Sequence, residues 1–247
     1  LSIEEARKWL IIAKQYNFTS GITFYEKWIS DIQKTKDDII KLENEKEHDW
    51  VNYPKGVIKM FLDAGYEVNK GFDVLFYGNI PNGAGLSSSA SIEILTSVIL
   101  KDLFNFNIDM IEMVKLCQKT ENIFIGVNSG IMDQFAVGMG KKDHAILLDC
   151  NTLKYEYVPV VLNNELIVIS NTNKRRGLAD SKYNERREEC EIGLSELQKK
   201  LSIKSLGELT IELFEENKEL IKSEIRRKRV KHAVYENQRT LIAQKEL

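Results

Sequence analysis

The run Ile80-Pro81-Asn82-Gly83-Ala84-Gly85-Leu86-Ser87-Ser88-Ser89-Ala90 is the stretch of this sequence best equipped for chemistry. Gly83 and Gly85 permit backbone conformations and close approaches that a Cβ would block. Ser87, Ser88 and Ser89 then bring hydroxyls and unsatisfied N–H groups to the start of a predicted helix. Free donors and the positive end of a helix dipole together make a cradle for phosphate. The run lacks the Gly-Lys-Ser/Thr ending of a P-loop and is not a dinucleotide fingerprint. A tight turn before a serine-capped helix has the same composition, so the loop by itself leaves both readings open. Asp133, shortly after Gly130, is equally open: a carboxylate in reach of a hydroxyl can act as a base, or it can cap the next segment. Glu121 taken alone is a carboxylate near a helix end.

These residues need elements to hold them. Phe72, Val74 and Phe76 alternate with Asp73, Leu75 and Tyr77, which predicts a strand leading into the loop. The helix after it carries an apolar stripe of Ile92, Leu95, Ile99 and Leu103. Asp109 with Glu112 three residues on predicts a capped helix whose buried face is Met110, Met113, Val114 and Cys117. Further strands are predicted over His144–Asp149 and Glu165–Ser170, with an extended segment near Tyr155–Val158. Charged helices are predicted from Glu4 to Gln15 and from Phe24 to Ile40, and the chain reads as almost wholly helical from Ser181. Strands and helices without regular βα alternation give an α+β class.

The 247 residues carry a net charge of −2, with 43% hydrophobic and 29% charged side chains, an ordinary globular composition. Uninterrupted apolar runs such as Trp9–Ala13 and Ala145–Leu148 are too short for a transmembrane helix, and no basic-then-apolar leader is visible. Cys117, Cys150 and Cys190 have no ligand spacing and are expected to be reduced core thiols in a cytosolic protein. His48, His144 and His232 are expected to pack or face solvent. The basic run Arg226-Arg227-Lys228-Arg229-Val230-Lys231 lacks interleaved aromatics and reads as a solvated helix face, not a nucleic-acid surface.

Gly78-Asn79-Ile80 through Ser91 closely resembles the ATP-binding motif of the GHMP kinases, and of galactokinases in particular. Gly130-Ile131-Met132-Asp133-Gln134-Phe135-Ala136 is similar to the galactokinase segment that carries the catalytic aspartate. Asn171–Arg176 with Ser181–Cys190, Trp50–Gly56 and His232–Arg239 resemble further galactokinase stretches in the same order. Nothing in residues 1–43 resembles the family's Gly-Arg-Val-Asn-Leu-Ile-Gly-Glu-His motif, and its Gly-Ala-Gly-Phe-Gly-Gly motif is absent too.

The resemblance implies a GHMP-type two-domain α+β fold, incomplete at both ends. Residues 1–43 stay unassigned and mostly helical, 44–170 form the ATP-binding portion, and 171–247 begin the C-terminal part. It implies phosphoryl transfer from ATP and Mg²⁺ to the C1 hydroxyl of galactose in the cytoplasm, with no nucleic-acid or membrane partner. The implied roles are a base for Asp133, phosphate cradling for Gly83, Ala84, Gly85, Leu86, Ser87, Ser88 and Ser89, and adenine contact for Trp50 and Tyr53. Gly130, Asp133 and Tyr183 are implied sugar contacts, Ser89 and Glu121 the implied metal pair, and Lys174, Arg175 and Arg176 candidates for offsetting phosphate charge. Without the family's arginine-bearing motif, this chain is expected to turn over weakly or not at all. The alternatives are another GHMP sugar 1-kinase and a non-catalytic ATP- and sugar-binding sensor; Ala90 and Ser91, which some such sensors lack, favour the enzyme.

Overall fold

The computed structural model describes residues 42–78, 80, 85–170 and 182–246. The helices predicted before residue 41, together with Gly83, Ala84 and the Lys174–Arg176 run, lie outside the described residues. A 3₁₀ segment, Lys46–Val51, enters helix α1, Asn52–Asp63. Val57, Met60 and Phe61 recur at helical spacing and give α1 its buried face. Helix α2 spans Ser88–Phe104 and α3 spans Met110–Lys119; a π-helical turn, Thr120–Ile125, continues directly from α3. Helix α4 follows at Met132–Met139. These elements close on one core that includes Phe61, Leu100, Met113, Leu116 and Phe135.

The α3 cap forms as its spacing predicts, with Asp109 Oδ1 accepting from the Glu112 backbone N–H at 2.8 Å. Met113, Val114 and Cys117 are buried as expected, joined by Leu116, while Met110 is half-buried. The expected stripe of α2 is corrected: Leu95 and Leu103 are exposed, whereas Ala90, Glu93, Ile94, Ser97 and Leu100 are buried. Helices α1, α3 and α4 all pack on α2. A helix apolar on several faces does not reveal by periodicity which face its neighbours will choose.

Strands β1, His144–Leu148, and β2, Tyr155–Pro159, pair antiparallel with His144 opposite Pro159 and Leu148 opposite Tyr155. Asp149 closes the hairpin by accepting from the Thr152 hydroxyl at 2.8 Å and the Asn151 N–H at 2.9 Å. The two other predicted strands are not formed. Residues 71–78 and 165–170 have no ladder partner among the described residues, and alternation alone makes no strand without a neighbouring edge. Phe72 and Phe76 still turn inward, against Phe104 and Trp50. Residues 161–170 lie exposed, with Leu166 at 88% and Val168 at 80% accessibility.

Helices α5 (Tyr183–Gln198), α6 (Ile211–Asn217) and α7 (Glu224–Glu246) enclose a second core of Leu197, Leu209, Phe214, Ile221, Val230 and Val234. The basic run lies on α7 and is paired with acids: Arg226 with Glu196, Arg227 with Glu219, Lys228 with Glu224, Arg229 with Glu189 and Lys231 with Glu215. Cys117 is buried, but Cys150 is exposed beside the hairpin turn, against the expectation of a core thiol, and Cys190 is half-buried; all are free. His144 Nδ1 lies 2.7 Å from the Lys142 carbonyl, and its ring meets Tyr157 edge-on. No described helix is long and apolar enough to cross a membrane.

Candidate active site

The described part of the glycine-serine loop enters α2 through two left-handed residues, Gly85 at φ +76° and Ser87 at φ +54°. Glycine suits the first of these because a Cβ is strained at such φ values. Ser87 makes no side-chain cap bond, so the alternative of a serine-capped helix is not realised at that position. Ser91 N–H bonds to the Ser87 carbonyl at 3.0 Å, while Leu86, Ser88 and Ser89 are half-buried.

Glu121 sits in the π-helical turn, 3% exposed, with the Ser129 hydroxyl donating to its Oε2. Such turns are rare and recur at functional sites, because they re-aim side chains out of the regular α register. The turn rests closely on α1: a Cβ added at Gly56 would lie 2.5 Å from Thr120 Cγ2 and 2.9 Å from Phe124 Cδ1. Asp133 occupies the first turn of α4 and is half-buried. On α2, Glu93 is fully buried and accepts from Gln134 Nε2 at 3.1 Å. Burial pushes its carboxyl well above the usual carboxylate range; Glu121 and Asp133 add to that, and the Gln134 bond opposes it. The remaining oxygens, Glu93 Oε1 and Gln134 Oε1, are buried without a partner. Glu121 and Asp133 therefore act on one buried group from two different elements.

Tyr53 on α1 belongs to the same acidic neighbourhood. Burial raises its phenol to about 12, with Glu121, Glu93 and Asp49 contributing in that order. Trp50 is half-buried and meets Phe76 edge-on at 5.9 Å. Buried Asn52 organises this approach: its amide donates to the carbonyls of Glu45 (2.7 Å) and Asp49 (3.1 Å), and its oxygen accepts from the Glu45 N–H (3.0 Å). Asp49 is held at φ +44°, an uncommon conformation for a non-glycine residue. Tyr183, at the start of α5, accepts from the Gly130 N–H through its phenol oxygen at 3.3 Å.

Glu93, Asn52, Gln134 and Ser129 have no role in the motif reading. Only Glu93 leaves a signal in the sequence, as a single acid amid Ile92, Ile94 and Leu95. The implied metal pair, Ser89 and Glu121, would offer a divalent cation a hydroxyl and a carboxylate, both hard oxygen donors. No group of three or more His, Cys, Asp or Glu among the described residues could form a cage. That donor set fits Mg²⁺, which commonly takes one or two protein ligands and completes its shell with phosphate and water.

Comparison with known proteins bears on this arrangement. Residues 52–141 match the GHMP kinases N terminal domain. That segment, and not the whole chain, carries the likeness to the GHMP kinases. The family domain contains α1 to α4, and with them Gly85–Ser89, Glu93, Glu121 and Asp133; Tyr183 comes from beyond it. Among relatives, the chain is similar to the galactokinase of Fusobacterium nucleatum subsp. nucleatum, 69% identical over 200 residues, 81% of this chain and 51% of the relative. It is also similar to the Clostridium beijerinckii galactokinase, 66% identical over 209 residues, 83% of this chain and 54% of the relative. The structure is similar to that of Lactococcus lactis galactokinase complexed with galactose: TM-score 0.79, 56% identity, 83% of this chain and 53% of that one. The chain spans about half the length of the curated relatives it matches.

Proposed function

We propose that this chain carries the nucleotide- and acid-bearing part of a galactokinase-type sugar 1-kinase, one that moves the γ-phosphoryl group of ATP to the C1 hydroxyl of galactose. The observation that carries the reading is the convergence of Glu121 and Asp133 on buried Glu93, in the helix that the glycine-serine loop opens. Phosphoryl transfer asks for positioning and for neutralisation of spread charge, with a carboxylate near the attacking hydroxyl.

In this reading the amides between Gly83 and Ser89 hold the phosphates, Trp50 and Tyr53 border the adenine, and Asp133 accepts the sugar hydroxyl's proton. Gly130 and Tyr183 orient the sugar; Ser89 and Glu121 would hold Mg²⁺, which offsets phosphate charge when bound. Residues 44–170 are the proposed ATP-binding domain and 171–247 the start of the C-terminal part.

Two measurements test this. Calorimetry of the chain should detect nucleotide binding that requires Mg²⁺. In a chain extended to the relatives' length, galactose-dependent ADP release should appear, and Asp133→Ala should lower turnover by about 10²–10⁴-fold with nucleotide affinity nearly intact. Absence of galactose-dependent release would overturn the kinase reading, and unchanged turnover in Asp133→Ala would remove that residue from the chemistry.

A further inference from the structure

The loop that joins the π-helical turn to α4 is Gly126-Val127-Asn128-Ser129-Gly130, and its own main-chain bonds are few: Gly126 and Val127 N–H to Glu121 O, and Ser129 N–H to Val127 O. Its alternate residues are held from a distant part of the chain. Asn184 Oδ1 accepts from the Asn128 N–H at 2.9 Å, and Asn184 Nδ2 donates to the Gly126 carbonyl at 3.2 Å. The neighbouring Tyr183 accepts from the Gly130 N–H. A planar amide offers one donor and one acceptor at fixed spacing, which matches a main-chain N–H and C=O two residues apart. Ser129, between these anchors, gives its hydroxyl to Glu121, and its carbonyl accepts from Gln118 Nε2 at 3.3 Å. The loop is thus gripped from α5 while it grips Glu121, and it ends three residues before Asp133 in the first turn of α4.

We infer that Asn184 is a positioning residue that locks the first turn of α5 onto the 126–130 loop, so that Tyr183, Glu121 and Asp133 are held as one unit. The inference rests on the kinase reading for its consequence, but the lock itself does not. Asn184 touches neither reacting atoms nor metal in this assignment; it acts through the loop. Removing its amide leaves the Asn128 N–H and the Gly126 carbonyl to water, and the sugar-side residues then drift independently of the carboxylates.

Hydrogen exchange on the unliganded chain reads the lock directly. Asn184→Ala should speed exchange at Asn128 by about tenfold, the loss of one ordinary hydrogen bond, with amides in the middle of α5 unchanged. Asn184→Asp keeps the acceptor and should restore protection at Asn128. Unchanged exchange at Asn128 in a folded Asn184→Ala chain overturns the lock. In the extended chain, Asn184→Ala should lower kcat about tenfold while KM for ATP stays level and KM for galactose rises. Fast exchange with unaltered kcat overturns the positioning role. Should the unsubstituted extended chain show no galactose-dependent turnover, the kinase reading fails, and the exchange result still decides the lock.

Discussion

At the scale of single residues, Glu93 is the group the motifs do not foretell. A carboxylate buried among two other acids is costly when charged, so the fold favours its protonated form. Its folded-state pKa lies above the unfolded one, so its stabilising contribution is complete below the unfolded value, near 4.5, and is lost as pH rises through the folded value. Glu93→Gln keeps the bond to Gln134, supplies a donor for the orphaned Gln134 Oε1 and cannot ionise. Denaturant melts should show it more stable than the parent by about 1–3 kcal/mol at pH 7.5 and little changed at pH 4; an equal gain at both pH values would mean that ionisation is not the cause. Asp133 lies in a stretch, Gly130–Ala136, whose resemblance is legible in the sequence, whereas Glu121 taken alone is only a carboxylate near a helix end. The support under them was not legible. Asn184 acts through main-chain groups of residues 126 and 128 that only folding brings within reach, and no local spacing announces a partner more than fifty residues away.

At the scale of elements, the approach of α1 to the π-helical turn decides where Glu121 points. Gly56 has no side chain because Thr120 and Phe124 occupy that space with little tolerance. Gly56→Ala should destabilise the chain by about 1–3 kcal/mol, as overpacking does, and should weaken the Mg²⁺ dependence of nucleotide binding by displacing the turn. A melt within a few tenths of a kcal/mol of the parent would show that α1 can retreat without cost. The α3 cap and the β1–β2 hairpin were readable because each is closed by residues a few positions apart. The buried face of α2 was not, since three helices press on it and the tightest contact falls on small and polar residues such as Ala90, Glu93 and Ser97. A period of 3.6 tells that a helix has faces, not which face wins.

For the whole molecule, the described residues proposed for nucleotide and carboxylate roles lie on or beside the elements that enclose the first core, while Tyr183 opens the helices of the second. The basic run Arg226–Lys231 is accounted for by the fold. The basic side chains of α7 face acids on α5, on the segment around Glu219 and within α7 itself, so the run serves internal pairing more than it projects a field. Residues 161–169 have a different consequence. Val161, Leu166, Ile167 and Val168 are spread along backbone that joins no strand ladder among the described residues, in a composition that favours pleated neighbours. Two such ribbons from separate molecules can satisfy each other. Sedimentation velocity across a concentration series should reveal reversible self-association that Val168→Lys suppresses; an identical profile for both chains would rule this ribbon out. Handled alone at high concentration, the protein would then owe its solubility to how well that ribbon is kept from its twin, whatever the strength of its two cores.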